Sequence, residues 1–416
     1  MPVTFEKIFI YGLTFFSLFN IFLILSVFLE KPLRRRAYSR NRKGLPKVSV
    51  IIPAYNEEEH IAETIEHVLK LDYPRAKLEV IVVDDGSKDR TYEVAKRFVK
   101  KGVKVFRKRN GGKGGAVNFG IKIASGDVVA TLDADSFPER KALLKMLPYF
   151  EDKRVMAVTP AMLIHRPKNF IEKIQYAEYL FGVFLRKVLA FVNAIHVTPG
   201  PFSLFRREFF EKHGLFDEKN ITEDTEIALR MQKHHYKIEN ALDARVTTVG
   251  PSKFRNLVRQ RLRWYTGFVN NSLKYKELMN IYEYGFMALV LIFAYVSVAT
   301  GFMYVAYISY KNAQSLSNYF NQLYLLGLDA LNPANLSWVE FREGMLNYLS
   351  DPLIFLGLLA IVTVFLLMAL VKRYSGDKTK LVPSLTLFVI FYIFLYVSFW
   401  GAIFINKVLL RRKVKW

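Results

Sequence analysis

Residues 127–136 read "DVVATLDADS". The apolar run from Val128 to Leu132 has the length and β-branched content of a buried strand, and it stops at two carboxylates one residue apart. If the strand runs through 127–135, Asp133 and Asp135 project to the same side, because side chains alternate with a period of two. Two carboxylates so placed make a hard oxygen site for Mg²⁺ or Mn²⁺ shared with a diphosphate. An acidic polar turn after the strand is the plainer alternative.

The same grammar repeats upstream. "KVSVIIP" (47–53), "LEVIVVDD" (78–85) and "VKVFRK" (103–108) read as strands, with helical patterns over Glu57–Leu71, residues 87–101 and about Gly114–Ala124. Strand–helix alternation at this spacing predicts an α/β fold with a mostly parallel, doubly wound sheet. Ligands of such sheets sit beyond the carboxyl ends of the strands. Here those ends run into "PAYNEEE", "DDGSKDRT", "KRNGGKGG" and "DADS", all polar, acidic or glycine-rich. A site is expected there. From Pro138 to about Ala244 the chain stays mixed α/β.

Four further stretches bear on chemistry. In "VVDDGS" (82–87), Asp84 or Asp85 can accept hydrogen bonds from a nucleobase or ribose edge, although an Asp-Gly turn needs no ligand. "NGGKGGAVN" (110–118) is a glycine-rich lead into a helix that suits phosphate, with Lys113 as a partner; it lacks the spacing of a P-loop or of Gly-x-Gly-x-x-Gly, and a flexible loop is the alternative. "NITEDTEIALRM" (220–231) places Thr222 as a helix N-cap, followed by Glu223, Asp224 and Glu226. Capping and the helix dipole account for one carboxylate; three together suit a general base better.

The fourth is "VRQRLRWYTG" (258–267), inside a basic amphipathic helix over 252–275 of the kind that lies at a membrane surface. Gln260, Arg263 and Trp264 fall at i, i+3 and i+4 and share one face. A guanidinium there can pair with a diphosphate, and an indole offers a flat plate for a sugar ring of the acceptor. Arg261 points elsewhere and is expected to meet anionic lipid. Simple interfacial anchoring is the alternative for the tryptophan.

The 416 residues are 52% hydrophobic yet carry net charge +23, with no cysteine. Disulfides, thiolate chemistry and cysteine-ligated metals are thereby excluded. The positive excess would suit nucleic acid, but apolar blocks at 8–29, 285–309, 353–371 and about 382–405 are each long enough to cross a bilayer, which favours a membrane protein that meets lipid and no nucleic acid. The carboxylate-free basic run from Lys31 to Lys47 marks the cytoplasmic side. The expected division is a transmembrane helix over 1–30, a cytoplasmic domain over 31–250, amphipathic interface helices over 251–280 and a transmembrane region of about three helices over 281–416. That makes a multi-pass protein of the cell membrane, with 310–352 as an external loop.

Taken in order, "PAYNEEE", "VVDDGSKDRT", "GGKGGAVN", "LDADS", "TPGPFSLFRR", "ITEDTEIALRM" and "QRLRW" resemble the processive, inverting, family-two glycosyltransferases that make cellulose, chitin, hyaluronan and poly-N-acetylglucosamine. The resemblance runs from about Lys47 to Gly267 and on into the membrane helices. It implies a cytoplasmic domain of the GT-A type and a UDP-sugar donor, UDP-N-acetylglucosamine or UDP-glucose. Carried over residue by residue, Tyr55, Glu57 and Asp85 hold the uridine with Asp84 beside them. Lys113 approaches the diphosphate or sugar, and Asp133 and Asp135 hold the Mg²⁺ or Mn²⁺, Asp135 directly. Asp224 is the base, with Glu223 on the acceptor side; Gln260 and Arg263 complete the donor site and Trp264 the acceptor site. Four spans are few for a wide export pore, so export would call on a second copy or an accessory subunit. Glycosylation of a membrane lipid stands as the alternative reaction. A catalytically silent subunit would lack Asp135 or Asp224, and both are present.

Overall fold

The structure, a computed structural model, describes residues 44–326, 352–376 and 379–404 together with isolated positions elsewhere. Apart from such positions, the first apolar block, the basic run up to Lys43 and the tail 411–416 lie outside the described residues. Two compact units are present, Val27–Leu291 with Leu367–Trp416, and Met1–Ser26 with Ile292–Leu366.

Eight strands form one sheet: β1 (Val48–Ala54), β2 (Leu78–Asp84), β3 (Lys104–Arg107), β4 (Val128–Thr131), β5 (Ser136–Pro138), β6 (Val155–Ile164), β7 (Ser203–Arg206) and β8 (Lys237–Thr248), in the order β3-β2-β1-β4-β7-β6-β8-β5. The helices that matter below are α1 (Ile61–Leu69), α2 (Thr91–Lys96), α3 (Gly112–Ile123), α4 (Phe170–Phe191), α5 (Glu223–Lys233), α6 (Phe254–Lys274), α7 (Phe286–Leu326), α8 (Pro352–Ser375) and α9 (Leu381–Phe404), with further short helices between them.

The half from β1 to β4 is parallel and wound as the sequence predicts. Alternation explains why. On β1 and β2, Val48, Val50, Ile52, Val80 and Val82 pack on one side of the sheet, while Ile51, Ile81 and Val83 pack on the other. All seven positions of β1 are buried, as a central strand covered on both faces requires. Burying each such Val or Ile side chain is worth roughly 1.5–3 kcal/mol. The other half departs from the parallel expectation. β7 pairs antiparallel with both β4 and β6, because the chain returns to the sheet through the 22-residue α4 and the turn at Pro199–Gly200 and enters from the opposite end.

Two local expectations are corrected. β4 ends at Thr131, so Asp133 and Asp135 sit on the turn into β5 and not on a strand. Their common direction comes from that turn, in which the Ser136 amide donates to the Asp133 carbonyl at 3.1 Å, and not from strand periodicity. The helix read over 87–101 is shorter: α2 covers Thr91–Lys96, and a 3₁₀ turn, Val99–Lys101, ends at Gly102 with φ +87°. Only glycine takes that conformation without strain.

The unit that carries the sheet also contains α9, which packs on α4 and α6: Phe388 lies 6.4 Å from Phe181, and Trp400 stacks 4.9 Å from Tyr265. In the other unit, α7 continues as helix to Leu326, well into the stretch expected to be an external loop. Helices α7, α8 and α9 fall on the second, third and fourth apolar blocks. Among the described residues one stretch, Phe286–Met303, is long and apolar enough to cross a membrane.

Candidate active site

Beyond the carboxyl ends of β1 to β4 the protein encloses a cavity of about 860 Å³. It opens where the strand order reverses, which is where doubly wound sheets bind ligands. Tyr55, Glu57, Asp85, Lys113, Asp133 and Asp135 all line it. Tyr55 is 44% exposed, an open edge on which a flat ring can stack.

Asp85 is the best-held of these. Its carboxylate accepts from the backbone amides of Gly111 (3.0 Å) and Gly112 (2.8 Å) and from Lys108 Nζ (2.7 Å). The glycine-rich segment is thereby pinned across the end of β2, and α3 starts from it. Asp84, its neighbour, is turned away: it is fully buried, pairs with Arg107 Nε at 3.1 Å, and is no part of the cavity wall. Successive residues leaving a strand face opposite sides, so of the two aspartates Asp85 alone faces the cavity.

Lys113 connects the two sequence motifs that carry acid groups. Its Nζ lies 2.6 Å from Asp133 Oδ1 and 3.6 Å from Glu223 Oε1. Burial alone would lower its pKa; Asp133, Glu223 and Asp224 outweigh that and hold the ammonium well above its ordinary value. Gly200, in the "TPGPFSLFRR" stretch, makes the arrangement fit: a Cβ there would come within 2.7 Å of Asp133 Oδ2 and closer still to Lys113 Nζ. Glu223 is buried, and burial raises its pKa; Asp224 is half-buried, and burial raises its pKa against the pull of Lys113 and Arg263. Asp224 is fixed through its main chain, whose carbonyl accepts from Thr198 N (3.1 Å) and Thr198 Oγ1 (2.9 Å). Thr222 does stand at the N-cap of α5, but its side chain makes no capping bond; its hydroxyl accepts instead from Asn271 on α6 at 2.9 Å.

Asp133 and Asp135 fit a hard divalent cation. Asp135 accepts from Ser136 Oγ and Thr248 Oγ1, both at 3.2 Å, yet burial and then Asp133 push its pKa up to about 6. Glu57 is pushed up to about 8 by burial, followed by Asp135 and Asp133. The protein's own cations thus leave this acidic corner under-compensated, as a site awaiting positive charge would be. Among the described residues no three acidic or histidine side chains form a protein-only metal cage. Mg²⁺ does not require one, since it is commonly held by one or two carboxylates together with substrate phosphates.

On α6 the face expected from helical spacing holds in part. Arg263 donates to the Ile221 carbonyl at 3.4 Å and acts on Asp224, which puts it at the start of α5. Gln260 accepts from Arg261 Nη1 at 2.6 Å. Arg261 does not reach lipid: it is 1% exposed, pairs with Glu178 of α4 at 2.6 Å, and lies 4.2 Å over the Trp264 ring. The correction has a clear cause, since an acid on a neighbouring helix draws in the one arginine that faces it. One face of the Trp264 indole is therefore already covered. Tyr179 stands 6.4 Å from the same ring, its pKa pushed up to about 12 by burial.

Sequence reasoning missed Glu218 and Lys219, which also line the cavity. They lie on a loop that folds back over α3, with Glu218 Oε1 accepting from Asn118 Nδ2 at 2.9 Å. No local pattern marks that return.

Residues 49–214 match the family model described as glycosyl transferase family 2. A beta-monoglucosyldiacylglycerol synthase of Trichormus variabilis is 32% identical over 286 residues, 67% of this chain and 59% of its own. A poly-beta-1,6-N-acetyl-D-glucosamine synthase of Staphylococcus aureus is 32% identical over 245 residues, 56% of this chain and 59% of its own. The chain thus spans 59% of the length of each of these curated relatives. Among solved structures, the mannosyltransferase of Pyrobaculum calidifontis in complex with GDP-Man and Mn²⁺ is similar at a TM-score of 0.56 and 21% identity, over 89% of this chain and 98% of that one; such a likeness speaks to the fold. Sheet order, cavity position and family match agree: residues 49–214 are a glycosyltransferase domain of family two, on a GT-A-like α/β fold.

Proposed function

We propose that the chain is an inverting membrane glycosyltransferase that passes a hexose from a UDP-sugar to a growing polysaccharide, with the catalytic unit on the cytoplasmic side. The observation that carries this reading is the convergence, through Lys113, of the cavity carboxylates with the Glu223–Asp224 pair at the start of α5. One end of the site suits a nucleotide and its diphosphate; the other offers a base. Asp85 and Tyr55 hold the nucleoside end. Lys113, freed from Asp133 when a diphosphate arrives, balances its charge, with Arg263 arriving from α6. Asp224 takes the proton of the acceptor hydroxyl as the acceptor oxygen bonds to the anomeric carbon and the bond to the diphosphate oxygen breaks on the opposite face. Positioned base catalysis of this kind is worth about 10²–10⁴-fold. A Mg²⁺ or Mn²⁺ at Asp133 and Asp135, when bound, would neutralise charge developing on the leaving diphosphate. The manganese and GDP-mannose of the P. calidifontis neighbour support that expectation. Glucose and N-acetylglucosamine, the sugars in the names of the two relatives, are the expected donors' sugars. Helices α7 to α9 are taken as the membrane region.

A second reading, glycosylation of a membrane lipid, is supported by the longer of the two matches, which is to a glycolipid synthase, and by Arg261 covering a face of Trp264 that a polymer end would otherwise use. Incubating purified protein with UDP-sugars, with and without diacylglycerol, and weighing the products tests both. A ladder spaced by one sugar supports the polymer; a single addition to lipid supports the second reading; no nucleotide release with any donor sinks both. Excess chelator should abolish turnover and added Mg²⁺ or Mn²⁺ restore it, whereas full turnover in chelator would dismiss the metal.

A further inference from the structure

Helix α6 carries a second stripe besides the one its motif suggests. Arg263, Gly267, Asn271 and Lys274 follow one another at steps of four, four and three residues, so they lie along one side of the helix. Each meets the same segment, residues 217–226. Arg263 donates to the Ile221 carbonyl. Gly267 lies so close to Thr222 that an added Cβ would sit 2.7 Å from the threonine Cβ and nearer still to its Oγ1 and Cγ2. Asn271, fully buried, donates to Thr222 Oγ1 (2.9 Å), the Thr222 carbonyl (3.3 Å) and Asn220 Oδ1 (3.2 Å), and accepts from Asn220 Nδ2 (2.6 Å). Lys274 pairs with Asp217 at 2.9 Å and Glu226 at 3.4 Å, and Tyr275, just past the helix, donates to Glu226.

The other side of that segment is the active site. Glu218 and Lys219 line the cavity, Glu223 approaches Lys113, and Asp224 is the base of the proposed reaction. An asparagine is a weak helix former, and a buried one inside a helix needs a reason. Its side-chain bonds to Asn220 and Thr222 supply one.

We propose that Asn271, with Asn220 as its partner, is a positioning residue for sugar transfer: it clamps residues 217–226 to α6, so that the cavity rim and Asp224 keep register with the helix that bears Arg263 and Trp264. The proposal rests on the glycosyltransferase reading above. Transfer to a bulky acceptor needs the base, donor and acceptor aligned together, whereas water can attack the donor from a looser arrangement. Loosening the clamp should therefore cost transfer more than hydrolysis. The partition between the two does not depend on how much of a preparation is folded, so it separates positioning from mere stability.

The test measures transfer and donor hydrolysis in full-length, detergent-solubilised Asn271→Leu, Asn220→Ala and the double variant. Asn271→Leu should shift the partition toward hydrolysis by about tenfold, with the KM for the UDP-sugar within about threefold. The double variant should cost little more than Asn271→Leu alone, because one network is broken once. If Asn271→Leu does not fold, Asn220→Ala carries the comparison. An unchanged partition in the folded variants, whatever the loss of rate, overturns the proposal, as does full additivity. Amide exchange over 217–226 should also rise by about tenfold in Asn271→Leu, a readout that needs no turnover. Unchanged exchange overturns the clamp; an inert wild-type chain with raised exchange would sink the glycosyltransferase reading and leave the clamp standing.

Discussion

The two ends of the cavity are built by different means. At the end proposed to take the nucleotide, strands β1 to β4 deliver short loops, and Asp85 is fixed by main-chain amides of Gly111 and Gly112. At the end proposed to meet the acceptor, α5 is held by Arg263, Asn271 and Lys274 of α6 and by Tyr275 just past that helix. The first end inherits its geometry from the sheet ladder. The second depends on individual side-chain bonds between helices, so single substitutions should disturb it more and in a different kinetic quantity.

The largest expected effect is at the acceptor end. Asp224→Asn should lower transfer by at least about 10²-fold while leaving UDP-sugar affinity within about threefold. A near-wild-type rate removes Asp224 as base; greatly weakened donor binding would move it to the nucleotide end and break the comparison.

A smaller effect is expected from Asp85→Asn. The amide oxygen in the place of Oδ2 can still accept from the Gly111 and Gly112 amides, but the new amide nitrogen then faces Lys108 Nζ and the ion pair that holds the side chain is lost. The KM for the UDP-sugar should rise about tenfold with kcat changed less, as for lost ground-state binding. A fall in kcat alone would mean that both ends act on the chemical step.

The smallest effect lies behind the nucleotide end and touches stability. Burial would raise the Glu79 pKa, but Lys104, Ser49 and Ser125 outweigh it and hold the carboxyl at about 2 against an ordinary 4.5. A lowered folded-state pKa contributes stability that is present above about 4.5 and lost as the pH falls toward about 2. Thermal melts from pH 6 down to pH 2.5 should fall less steeply for Glu79→Gln than for the wild type; equal slopes would detach Glu79 from the acid sensitivity of this half.

The same contrast explains what could be read from residues alone. The cavity wall beyond β1 to β4 was legible because each strand and the loop after it are neighbours in sequence, so "LEVIVVDD" followed by "GS" already says where a carboxylate leaves the sheet. Even there, the strand period was carried too far into "LDADS", whose aspartates belong to a turn. The acceptor end depends on partners far apart in the chain. Helical spacing set Arg261 apart from the face of Gln260, Arg263 and Trp264, yet its guanidinium reaches back to Gln260 and over the Trp264 ring, and nothing in the spacing names Glu178, 83 residues away, as the partner waiting there. Glu218 and Lys219 had no local signature. Asn271 did have one: two asparagines at 270 and 271 inside an otherwise amphipathic helix conflict with local preference, and such conflicts point to function or to a specific contact.

The seat of Asp85 has a consequence for how this domain can drift. Its two amide donors belong to the main chain, so no exchange of one ordinary side chain for another along the loop can abolish them. Proline at 111 or 112 would, by removing the hydrogen itself, and at Gly112 the φ of +82° further discourages any residue with a Cβ. Substitutions elsewhere on the loop should therefore change what it presents to the cavity while the anchor beneath it stays put.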